Sequence, residues 1–181
     1  VHQKAAVLYR KQARFKLIST GKISQKNLLF EDQHLERLTK ASRYFAFPFD
    51  PKKLRQKIEE ECQVCDDNQD YRLRIITSKS GEIELSRQIL TPLSPKFCQA
   101  KLCLQEADLQ QAFTYFKTTH RPHLSLGKQE IIYHNAAGEL LETSIGNLVL
   151  KINGKLYTPP IGQGILPGIY RQHLLETGQV E

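Results

Sequence analysis

The stretch from Glu139 to Arg171 constrains this chain more than any other: E-L-L-E-T-S-I-G-N-L-V-L-K-I-N-G-K-L-Y-T-P-P-I-G-Q-G-I-L-P-G-I-Y-R. Glu142 lies between apolar neighbours, where a solvent-facing carboxylate is not the default. Asn153-Gly154 reads as a tight hairpin turn, because both residues tolerate the positive φ such turns require. Gly162, Gly164, Pro167 and Gly168 then lead into Ile169-Tyr170-Arg171, the first turn of a predicted helix. A glycine-bearing loop feeding a helix start leaves backbone N–H groups pointing outward, and the helix dipole adds to them. That geometry cradles anions. For the loop alone, a plain Gly/Pro turn is the preferred reading and an anion site the alternative.

The rest of the chain sets bounds. Its 181 residues suffice for one large domain or two small ones. No run of about 18 apolar residues occurs, so no membrane-spanning helix is expected, and no signal peptide is visible. The formal charge is +7, but its 26 basic residues are scattered among 19 acids. That pattern reads as a solvated basic surface rather than a nucleic-acid site. Cys62 and Cys65 form a C-x-x-C, yet Cys98 and Cys103 are too widely spaced to complete a zinc site. Free thiols in a reducing cytoplasm, with no metal, are the expectation. The chain starts at Val1 and has no methionine, so either it is a piece of a longer protein or modified methionines are missing from the sequence.

Along the chain, residues 2–14 read as a basic, weakly helical tail. Phe15–Ile18 and Leu28–Phe30 are predicted strands, with Gly21 as a turn. Asp32 is the predicted N-cap of a helix that buries Leu35, Leu38, Ser42 and Phe45. Asp50-Pro51 opens a second helix with Leu54 and Ile58 inward. Tyr71–Thr77 and Glu82–Leu90 read as a hairpin around Ser80-Gly81. Thr91–Pro95, with two prolines, is the linker that divides a small N-terminal α/β domain (1–93) from a second domain (94–181). Phe97–Leu104, Glu130–His134 and Leu140–Ile152 are strands of that second domain, and Ile169–Glu176 is a helix. Lys117 follows the aromatic run A-F-T-Y-F, where an amine loses hydration and becomes available as a nucleophile. Read alone, it is a solvated strand end.

Three motifs in order then carry a resemblance. H-L-E-R-L-T-K-A-S-R-Y-F-A-F-P-F-D, K-T-T-H-R and the run E-T-S-I-G-N-L…T-P-P…G-I-L-P-G-I-Y-R resemble the signature of the fold-type IV pyridoxal-phosphate enzymes. This class IV aminotransferase family includes branched-chain and D-amino-acid aminotransferases and aminodeoxychorismate lyase. The resemblance implies an α+β fold of two domains, the second larger and barrel-like, and a pyridoxal 5′-phosphate cofactor. It implies Lys117 as the catalytic Schiff-base lysine, Glu142 facing the pyridine nitrogen, and Arg37 with the amides of Ile169 and Tyr170 on the phosphate. Asn147 is expected to tie down a turn. Arg72, Arg74 and Arg121 are candidate contacts for a substrate carboxylate.

The K-T-T-H-R and R-L-T-K-A-S-R-Y-F-A-F-P-F-D segments look most like the lyase domain fused behind aminodeoxychorismate synthase. The implied reaction turns 4-amino-4-deoxychorismate into 4-aminobenzoate and pyruvate, a step towards folate. An aminotransferase of the same fold and a non-catalytic binding domain are the alternatives. The resemblance also implies a cytoplasmic homodimer, with a synthase domain fused or associated. This sequence departs from the family in several places. The interval from Lys117 to Glu142 is short, with Pro122 where a helix would begin. Tyr170 stands for a threonine, Ser19-Thr20 for Glu-Thr, and the chain is C-terminally short.

Overall fold

The computed structural model describes residues 15–91, 99–105, 112–121, 124 and 129–181. The predicted tail at residues 2–14, most of the Thr91–Pro95 linker, Cys98 and Pro122 lie outside the described residues. The described chain groups into two compact units. One contains residues 15–91 together with Lys117–His120; the other contains the remaining described residues from 99 onward.

The first unit is built on a four-stranded antiparallel sheet. Strands β1 (Leu17–Ser24), β2 (Asn27–Leu28), β3 (Tyr71–Thr77) and β4 (Ile83–Ile89) lie in the order β2-β1-β3-β4. β1 and β3 pair in strict register, from Leu17 opposite Thr77 to Ile23 opposite Tyr71. Side chains alternate across a strand, so Leu17, Ser19 and Ile23 share one face with Leu73, Ile75 and Thr77, and all six are fully buried. Arg72 and Arg74 take the exposed face of β3.

Two helices belong to this unit. Helix α1 (Glu31–Phe45) buries His34, Leu35, Leu38, Ala41, Ser42 and Phe45, a stripe at helical spacing. Helix α2 (Pro51–Gln63) buries Leu54, Ile58 and Cys62. Phe15, Phe45 and Phe47 form an aromatic cluster, with the first two ring centroids 4.9 Å apart. Such edge-on pairs add to simple burial.

Several local expectations match and two are corrected. Asp50 caps α2 by accepting from the N–H groups of Lys52 and Lys53, with Pro51 in the first turn. By contrast, Asp32 is not the cap of α1. The helix starts one residue earlier, behind Phe30 in the left-handed region, and Asp32 instead pairs with Arg55 at 2.7 Å. Nor is Gly21 a turn. β1 runs straight through it, and the chain reverses at Gln25 and Lys26, both at positive φ. Gly21 is needed for close approach: a Cβ there would sit 2.6 Å from His34 Nε2 and 2.7 Å from Leu28 Cδ1.

In the second unit, strands β5 (Ala100–Leu104), β6 (Glu130–His134) and β7 (Leu140–Thr143) form a sheet in sequence order. β5 and β6 are parallel, β6 and β7 antiparallel. Strands β8 (Leu150–Ile152) and β9 (Lys155–Tyr157) make the hairpin predicted at Asn153-Gly154, both of which have positive φ. Leu124, Tyr133, Leu141 and Ile165 form the core. Helix α3 (Ala112–Tyr115) ends just before Lys117, and helix α4 (Ile169–Glu176) begins at Gly168. The predicted strand Leu140–Ile152 is thus two strands separated by a loop at residues 144–149.

Lys117–His120 belongs with the first unit, whereas the sequence reading assigns Lys117 to the second domain. The reason is backbone pairing. Ile18 N–H donates to Lys117 O at 3.0 Å, Thr119 N–H donates to Lys16 O at 2.9 Å, and Thr118 bridges Leu17.

Candidate functional site

In the first unit two of the predicted site residues, Arg37 and Lys117, both act electrostatically on one buried imidazole. His34 is buried on the inner face of α1, and its Nδ1 lies 2.7 Å from Ser19 Oγ on β1. Arg37 follows one turn later on the same helix and is half-buried. Burial pushes the His34 pKa down to about 4, and the positive charges of Arg37 and Lys117 lower it further. A desolvated ring near two cations resists a third charge. Arg37 and Lys117 are distant in sequence, yet both act on the same ring. His34 itself was not among the predicted site residues. Its only sequence signal was its place at the head of H-L-E-R-L.

Backbone pairing to β1 holds the Lys117 segment from both sides. Lys16 N–H also donates to Thr119 Oγ1 at 2.9 Å, and the buried Thr118 hydroxyl donates to His120 O at 2.7 Å. K-T-T-H-R is therefore a fixed loop, its two threonines spending their hydroxyls on backbone groups.

The second unit assembles Glu142 with the glycine loop. Glu142 is 1% exposed on β7. Its Oε1 accepts from Arg121 Nη2 at 3.1 Å, and its Oε2 accepts from Leu166 N–H at 3.3 Å. Leu166 O in turn accepts from Asn147 Nδ2 at 2.9 Å. Both backbone groups of Leu166 are thus held by residues of the E-T-S-I-G-N segment. That segment closes on itself: Thr143 Oγ1 accepts from the N–H groups of Ile145 and Gly146, and Thr143 N–H donates to Gly146 O at 2.7 Å. The motif's order follows from this geometry. Thr143 shapes the turn, Gly146 completes it, and Glu142 and Asn147 reach Leu166 from either end.

Arg121, a candidate for a substrate carboxylate, is instead engaged by Glu142. Arg72 bonds Gln88 Oε1 on the sheet surface. Tyr170 is exposed and Ile169 half-buried at the start of α4. Arg171 is buried, donating from Nε to Thr158 Oγ1 at 3.1 Å and from Nη2 to Pro159 O at 2.7 Å. It ties α4 to the T-P-P segment.

The donor set fits a phosphorylated pyridine cofactor. Gly168 offers no side chain to cap α4, so the amides of its first turn suit an external anion. Glu142 is a buried carboxylate that can accept from a protonated ring nitrogen. Among the described residues no cluster of His, Cys, Asp and Glu is arranged to hold a metal ion, and no helix is long and apolar enough to cross a membrane.

Residues 16–181 match the family of class IV amino-transferases, and the chain belongs to that family. Pyridoxal 5′-phosphate is the cofactor of its members. No curated protein matches the sequence. Among solved structures, a candidate amino-acid aminotransferase from Mesorhizobium loti is 27% identical, with a TM-score of 0.76 over 92% of this chain and 85% of that one. A candidate 4-amino-4-deoxychorismate lyase from Legionella pneumophila is 22% identical, with a TM-score of 0.66 over 91% and 69% of the two chains. A candidate branched-chain amino acid aminotransferase from Thermotoga maritima is 20% identical, with a TM-score of 0.78 over 97% and 69%. The last two share the fold, which is the α+β fold-type IV architecture the motifs imply.

Proposed function

We propose that the chain is a pyridoxal-phosphate-dependent 4-amino-4-deoxychorismate lyase, releasing 4-aminobenzoate and pyruvate. The observation that carries the cofactor reading is the match of residues 16–181 to the class IV amino-transferase family; the charges of Arg37 and Lys117, both felt by the buried His34, support it. The lyase reading is supported by the K-T-T-H-R and R-L-T-K-A-S-R-Y-F-A-F-P-F-D segments and their resemblance to lyase domains.

When bound, pyridoxal phosphate supplies an electron sink for bond cleavage. Lys117 would hold the cofactor through Nζ, and the same atom could accept and return a proton. Arg37 contributes a charge-assisted contact to the phosphate, and the Ile169 and Tyr170 N–H groups contribute backbone donors. Glu142 would serve the ring nitrogen, its carboxylate favouring the protonated form there.

Adding pyridoxal phosphate to the protein should raise an absorption band near the visible, absent in Lys117→Ala. Aminodeoxychorismate should then yield 4-aminobenzoate. No band with the parent protein would leave a non-catalytic binding domain standing. Conversion of an amino acid and a keto acid instead would establish the second reading, an aminotransferase. The match to the Mesorhizobium loti protein at 27% identity over 92% of this chain favours that alternative. The working form in this proposal is a cytoplasmic homodimer, alone or with a synthase domain; a purely monomeric mass by light scattering would count against the dimer.

A further inference from the structure

We propose that Arg121 is a positioning residue for Glu142: its guanidinium keeps the buried carboxylate ionised and aimed, and so governs the protonation of the ring that Glu142 faces. This rests on the reading of Glu142 as the partner of the cofactor's ring nitrogen. The geometry carries it. Glu142 is 1% exposed, and its donors include Arg121 Nη2 on one oxygen at 3.1 Å and Leu166 N–H on the other at 3.3 Å. A carboxylate shut away from water is driven towards its protonated form, and a cation at hydrogen-bond distance opposes that. A protonated carboxyl cannot stabilise a second proton on a facing nitrogen. Arginine keeps its charge under nearly all conditions, so it fixes Glu142 as an anion where a titrating partner would not.

Arg121 is itself poorly hydrated, its side chain 16% exposed and its Nε buried without a hydrogen-bond partner. Burial lowers its pKa, opposed first by Glu142 and then by Tyr133 on β6. The pair is therefore not a solvated surface contact. Its Nη2 is already spent on Glu142, which leaves the guanidinium poorly placed as a clamp for a substrate carboxylate. One short segment, K-T-T-H-R, thus supplies both the reactive amine and the counter-ion of the carboxylate.

The test follows the cofactor's absorption against pH in the loaded protein, alongside kcat and KM. Glu142→Gln should move the spectral midpoint and lower kcat by roughly tenfold or more, with KM little changed. Arg121→Gln should move the midpoint in the same direction, and Arg121→Lys should stay near the parent. The double variant Arg121→Gln/Glu142→Gln should match Glu142→Gln alone, because the residue acts only through its partner. That double variant buries no uncompensated charge, so it decides the matter even if Arg121→Gln fails to fold. An unmoved midpoint in Arg121→Gln, an effect on KM alone, or a double variant unlike Glu142→Gln would overturn the proposal. If Glu142→Gln itself leaves the midpoint in place, the ring-nitrogen assignment has failed, and this proposal with it.

Discussion

Ser19 and His34 share a buried hydrogen bond of 2.7 Å between β1 and α1. Ser19 has no exposed surface and His34 only 3%. The same strand, one residue earlier, takes Lys117 O through Ile18 N–H, and the same helix, one turn later, bears Arg37. The Ser19–His34 bond therefore couples the element that anchors the proposed reactive lysine to the element that bears the proposed phosphate arginine.

Stability should fall with acid through this ring. The His34 pKa drops from 6.5 to about 4 on folding, chiefly by desolvation. Between those values the unfolded chain binds the extra proton and the native state does not, so stability rises with pH across that window. The contribution is complete above about pH 6.5 and is lost as pH falls towards 4. At about 1.4 kcal/mol per pH unit the total is about 3 kcal/mol. Denaturant unfolding of the parent and His34→Gln should diverge over that window. Parallel pH profiles would refute the assignment.

Gly21→Ala should destabilise the first unit by about 1–3 kcal/mol. The new methyl would meet both His34 Nε2 and Leu28 Cδ1 closer than real contacts allow. Neither neighbour is the loose end of a flexible exposed chain; both are buried. Chemical denaturation should show the loss as a lower midpoint with an unchanged slope.

Gly168→Ala tests the junction of the two motifs in the second unit. The backbone at Gly168 is ordinary, with φ −70°, so any effect is steric. A Cβ would run into Asn147 Oδ1 and displace the amide that holds Leu166 O. Pyridoxal phosphate should bind about tenfold more weakly, near 1.4 kcal/mol. A dissociation constant equal to the parent's would show that Asn147 can turn away without consequence.

Arg171→Ala should cost about 1–3 kcal/mol, because it strips the donor from a buried carbonyl at Pro159 and from the Thr158 hydroxyl. The loss should appear in unfolding experiments on the cofactor-free protein. If it appears only in cofactor affinity, Arg171 belongs to the binding site rather than to the frame.

What the sequence revealed divides along a physical line. Features set by nearest neighbours were legible: the Asp50-Pro51 helix start, the Asn153-Gly154 hairpin and the buried stripe of α1. Features set by residues far along the chain were not. Gly21 looks like a turn until His34 is seen packed against it. Arg121 reads as an open cation until Glu142 closes on it. Asp32 has the right chemistry for a cap, but Arg55 on another helix claims its carboxylate. The E-T-S-I-G-N motif was recognisable as a pattern, while its logic, two side chains gripping Leu166, needed the folded chain.

The pairing of the Lys117 segment with β1 also has a bearing on the order of folding. Lys16 and Thr119 meet across a separation of 103 residues. Contacts this remote close slowly, because the loop entropy must be overcome before they form. The proposed reactive lysine therefore takes up its place only once the sheet of the first unit has assembled. A growing chain would carry Lys117 as an ordinary solvated amine, and capture of the aldehyde cofactor would report the completion of folding.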